Sequence, residues 1–197
     1  MLLDTRGTPL RSKAFHDTSY GWAPSAGNTD DYAAAIRQLT KRYVFMDADR
    51  IGIYSVFYRA GLQNFLERQD IYKVHIQGGC VMDARLIGAS VVGDVWEGCE
   101  GPSEERCYPE DLAENLQGKL LVIHAINNHN APCYPPATAL RLLDALQRAD
   151  KDFDMLMLPG TNESYGAYTT RRIWDYLVEH LAQEVPPKGV EFKASMF

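Results

Sequence analysis

The sequence predicts a single α/β domain over residues 1–197, with a mainly parallel sheet and helices on both faces. Three observations carry this. Helix-like and strand-like segments alternate along the chain. No internal repeat or low-complexity linker interrupts them, and a hydrophobic content of 46% with 23% charged residues suits one ordinary globular core.

The elements follow in order. "MLLD" is a short strand candidate, followed by a Gly/Ser/Pro-rich loop through "GTPLRSKAFHDTSYGWAPSAG". A helix begins near "NTDDYAAAIRQLTKRY", with Asn28 or Thr29 as its cap, acids in its first turn and bases in its last, as the macrodipole favours. "RIGIYSV" is the next strand, "AGLQNFLERQ" a helix and "YKVHIQGG" a third strand. The stretch "DARLIGASVVGDVWEGCEGPSEERCYPEDLAENLQG" is too rich in Gly, Pro and acids to form one element. "KLLVIHAI" is a strongly apolar strand. In "PPATALRLLDALQRA" a proline start and Leu140, Leu143 and Leu146 at helical spacing mark the clearest helix. "DFDMLMLPG" is the last strand and "AYTTRRIWDYLVEHLAQ" the last helix.

Composition excludes several classes. A net charge of -6 with no Lys/Arg-rich face argues against nucleic acid as a partner. No apolar run reaches the roughly 18 residues of a membrane span, and the early Asp4 is unlike a signal peptide, so the cytoplasm is the expected compartment. Cys80, Cys99, Cys107 and Cys133 are unequally spaced with no C-x-x-C, which reads as a reduced set rather than a disulfide framework or zinc site. No metal or cofactor is implied. His124 and His129 are five apart without a third ligand nearby, and His124 lies in an apolar strand, as a core histidine does.

The phrase "DRIGIYSVFYRAG" begins like the strand that leads into G-x-S-x-G, where small residues permit a sharp turn that presents a serine. Bulky residues follow Ser55 instead. Together with "DTRGTPLRSKAFHD", "ENLQGKLLVIHAINNHNAP", "LPGTNESYG" and "RRIWDYLVEHL", this phrase resembles the catalytic domain of the prolyl oligopeptidase and dipeptidyl-peptidase family of serine peptidases, over almost the whole chain. The resemblance implies an α/β-hydrolase-like fold lacking that family's first strands and its β-propeller.

It also implies three triad positions. Against G-x-S-x-G-G, counting forward from "DRIGIY" puts the nucleophile at Phe57, and counting back from "YKV" puts it at Ser55. Against H-G-x-x-D-D-x-V the acid maps to Asn128, with His129 beside it, and the base histidine maps to Glu163. Asn128 cannot stabilise an imidazolium by charge, and a glutamate of ordinary pKa near 4.3 is a poor base for a hydroxyl. The oxyanion tyrosine and its strand fall upstream of the matched segment. On this reading no imidazole touches Ser55.

Around the three positions, Phe57, Tyr58, Asn127, His129, Ser164 and Tyr165 form a candidate ligand pocket, since α/β sheets place ligands at the carboxyl ends of their strands. Other residues carry less. Cys133 reads as structural, Trp96 with Val91, Val92 and Val95 as packing or pocket lining, and Glu110, Asp111 and Glu114 as a solvated acidic stretch. Two functions stand open: a degenerate, non-catalytic domain that binds a small molecule, a peptide or a partner protein, and a hydrolase or acyltransferase using Ser55 with Glu163 or His129 as base. A sheet without its first strands, in which "MLLD" either pairs with "RIGIY" or leaves a gap, implies an edge that recruits a second copy or another subunit.

Overall fold

The computed structural model of this chain is described over residues 3–19, 29–81, 108–126, 135–159 and 166–190. Four parallel strands, β1 (Ile51–Tyr58), β2 (Tyr72–Val81), β3 (Lys119–Ala125) and β4 (Asp154–Leu158), lie side by side in chain order. Among the described residues five α-helices accompany them: α1 (Lys13–His16), α2 (Thr29–Arg42), α3 (Ala60–Glu67), α4 (Pro136–Arg148) and α5 (Ala167–Leu177), the last continuing as a π-turn over Val178–Ala182. Parallel neighbours cannot be joined by a hairpin, so α3 carries the chain from β1 to β2 and α4 from β3 to β4.

The period of two along β3 separates the core into two layers. Leu120 and Val122 pack with Leu62 and Phe65 of α3, Leu142 and Leu146 of α4, and Ala33 and Ile36 of α2. Leu121 and Ile123 join Val74 and Ile76 on the opposite face, against Ile173 and Tyr176 of α5. Helices therefore cover both faces, as expected for an α/β sheet. The central side chains are fully buried, and each buried leucine or isoleucine contributes about 1.5–3 kcal/mol.

The α4 stripe differs from the expected one. Ala139, Leu142, Leu143 and Leu146 are buried, whereas Leu140 is exposed. Position 140 stands one residue, and so about 100°, round the helix from Ala139. Leucine at that spacing served the pattern but not the core.

Two further expectations change. Leu3, Asp4 and Thr5 form no strand, and among the described residues β1 pairs only with β2, so the pairing of "MLLD" with "RIGIY" is not found. The N-terminal segment is bound to α2 instead: the Arg6 guanidinium and backbone N–H both donate to Asp31, which holds that carboxyl below the usual carboxylate range. Within the irregular stretch, Pro109–Asn115 forms a 3₁₀ helix that sends Ala113 into the α3–α4 layer, with Leu116 just after it. There Asp111 and Glu114 are exposed, as a solvated stretch requires, but Glu110 is half-buried, and Asp111 accepts from the Tyr108 backbone N–H at 2.8 Å.

Helix α2 begins at Thr29. The Thr29 hydroxyl donates to Asn64 and Glu67 of α3, tying the two helices together. Asn28 lies outside the described residues. No helix among the described residues is long and apolar enough to cross a membrane.

Candidate functional site

Strand β1 delivers Ser55 to a specific place. Ile51, Ile53 and Ser55 share one face of the strand by alternation, and Ile51 and Ile53 pack in the α3–α4 layer, so Ser55 points beneath α3. Register then decides its neighbours. Ile53 stands opposite His75 and Ser55 opposite Gln77, which puts three polar side chains on one face of two adjoining strands.

The Ser55 hydroxyl donates to Gln77 Oε1 at 2.7 Å, and His75 Nε2 lies 3.3 Å from the same hydroxyl oxygen and 3.2 Å from Gln77 Oε1. The amide group is oriented by its other end, where Gln77 Nε2 donates to the carbonyls of Gly78, at 3.1 Å, and Ser55, at 3.4 Å. An amide oxygen only accepts, so we assign the His75 proton to Nε2, the tautomer that donates toward Gln77 Oε1. The imidazole therefore presents a proton, not a lone pair, to Ser55. His75 Nδ1 has no hydrogen-bond partner among the described residues.

Burial sets the charge state. His75 and Gln77 are fully buried, and the His75 ring stacks on Phe65 with centroids 5.3 Å apart. Removal from water disfavours the imidazolium and lowers the His75 pKa to about 4, offset in part by the hydrogen bond to Gln77. A neutral ring is the result at ordinary pH.

Ser55 is half-buried, and α3 closes one side of it. A Cβ built on Gly61 would lie 2.4 Å from Ser55 Oγ and 2.5 Å from Ser55 Cβ, far inside contact distance. Only glycine permits this approach, and no space is left on that side of the hydroxyl for a substrate carbonyl.

The strand-to-helix turn carries the second departure from a serine-presenting elbow. β1 runs through Tyr58, a single residue intervenes, and α3 starts at Ala60. Phe57, the nucleophile position on the forward count, is inside the strand and paired with Cys80. The register slips opposite it, where β2 has Gly79 as its extra residue at φ 27°. The intervening residue is Arg59, fully buried, with its guanidinium carbon 4.7 Å from the centroid of the Tyr108 ring. On the forward count a glycine of G-x-S-x-G-G would stand there.

Of the residues singled out from the sequence, the structure therefore places Ser55 and the backbones of Phe57 and Tyr58. Asn127, Asn128, His129, Glu163, Ser164 and Tyr165 lie outside the described residues, as do Trp96 and Cys133. His124 is fully buried on β3, as expected of a core histidine. The expectation that no imidazole touches Ser55 is overturned, because His75, which is at no triad position, arrives through the pairing of β2 with β1. His75, Gln77, Arg59 and Gly61 are the residues that sequence reasoning missed. One signal for the first two was present: in "VHIQ" the polar residues alternate with apolar ones in a strand buried on both faces, which requires them to satisfy one another.

The family model described as "Prolyl oligopeptidase family" matches residues 1–184. The chain belongs to the prolyl oligopeptidase family. Dipeptidyl peptidase 8 of Homo sapiens is 24% identical over 198 residues, covering 94% of this chain and 22% of that protein. Among solved structures, Porphyromonas gingivalis dipeptidyl peptidase 4 superposes with a TM-score of 0.69 at 23% identity, over 91% of this chain and 26% of that one. Pyrococcus horikoshii acylaminoacyl peptidase gives 0.71 at 17% identity, over 95% and 32% respectively. These likenesses establish the α/β-hydrolase fold. The chain spans 22% of the length of the curated relatives it matches.

Proposed function

We propose that this chain is a peptidase-family domain that does not use Ser55 as a nucleophile and works in the cytoplasm by binding a ligand or a partner protein. The observation that carries this reading is the setting of the half-buried Ser55 hydroxyl between Gln77 and Gly61. Its proton is donated to an amide oxygen at 2.7 Å, and the backbone of α3 at Gly61 stands against one side of the hydroxyl. Serine becomes a nucleophile only when a base takes that proton, and His75 offers a proton instead. The motif resemblance, which maps the family's acid to Asn128 and its base to Glu163, supports the same reading.

A second reading has one observation in its favour, the 3.3 Å approach of His75 Nε2 to Ser55 Oγ. A hydrolase built on that pair needs the other tautomer and a shift of the hydroxyl away from Gln77. Incubation with a fluorophosphonate probe, beside assays on p-nitrophenyl esters and Ala-Pro anilides, separates the two. No labelling and no turnover are expected, and stoichiometric labelling at Ser55 would sink the first reading.

A further inference from the structure

We draw no further inference here: the strongest candidate, the side-chain cluster of Ser55, His75 and Gln77 beneath α3, in which His75 Nδ1 lacks a hydrogen-bond partner among the described residues, belongs to the site already described, and nothing among those residues shows what that nitrogen would bind.

Discussion

Acidification should destabilise this fold through His75, and the size of the effect can be worked from the structure. The folded pKa near 4 lies below the ordinary histidine value of 6.5, so between those values the unfolded chain binds a proton that the folded chain refuses. Stability is therefore complete above about pH 6.5 and falls as the pH drops toward 4. Between pH 7 and pH 4.5 the proton-linkage relation gives a loss of about 2.5 kcal/mol from this residue alone. His75→Phe removes the titrating group, keeps an aromatic ring against Phe65, and leaves Gln77 Oε1 accepting from Ser55. Urea denaturation followed by circular dichroism at both pH values measures the difference, provided the slope with denaturant is unchanged. The parent should lose about 2.5 kcal/mol more than the variant over that interval. Equal losses in the two proteins would refute the burial of His75 as the source, and with it the assignment of a neutral ring beside Ser55.

What the sequence made legible, and what it hid, follows from the range of the interactions concerned. The elements from α2 onward were readable because each carries its own signal: acids at the start of α2, Pro136 at the head of α4, the apolar run of β3. Which leucine of α4 enters the core was not, since Leu140 and Leu143 satisfy the same periodicity and only the position of the sheet chooses between them. "MLLD" looked like a strand because it is short and apolar, yet a strand exists only when it has a neighbour, and the Arg6–Asp31 contact draws this segment to α2. The candidate site was hidden for the same reason. Ser55, His75 and Gln77 are separated by 20 and 22 residues and meet only through the parallel register of β1 and β2. A triad search compares residues with a motif, and register is invisible to it. Gly61 and Arg59 were hidden differently: one matters because it lacks a side chain, the other because a buried guanidinium stands where a glycine was sought.

Three further expectations concern the same framework. Gln69→Leu should cost about 1–3 kcal/mol in denaturation, because Gln69 Oε1 accepts from the backbone N–H groups of Gln117, at 2.9 Å, and Gly118, at 2.7 Å, and leaves both unpaired when removed. Asp70, held at about 2 chiefly by Arg68 and also by Arg37, contributes stability that is present above the ordinary carboxylate range and lost as the pH falls from about 4 toward 2; Asp70→Asn should flatten the dependence of melting temperature on pH in that window, with the parent the more stable protein at neutral pH and the two converging toward pH 2. Gly61→Ala tests the wall around Ser55 directly. The added methyl meets Ser55 Oγ at 2.4 Å and its Cβ at 2.5 Å, an overpacking cost of about 1–3 kcal/mol, against which alanine's helix preference returns up to about 1 kcal/mol. Because both clashing atoms belong to Ser55, Ser55→Gly should rescue Gly61→Ala, and Ser55→Ala, which keeps the Cβ, should rescue it only in part. If denaturation midpoints show Gly61→Ala to be harmless, or show that Ser55→Gly gives it no relief, then α3 stands farther from β1 than described and the hydroxyl is open to substrate after all.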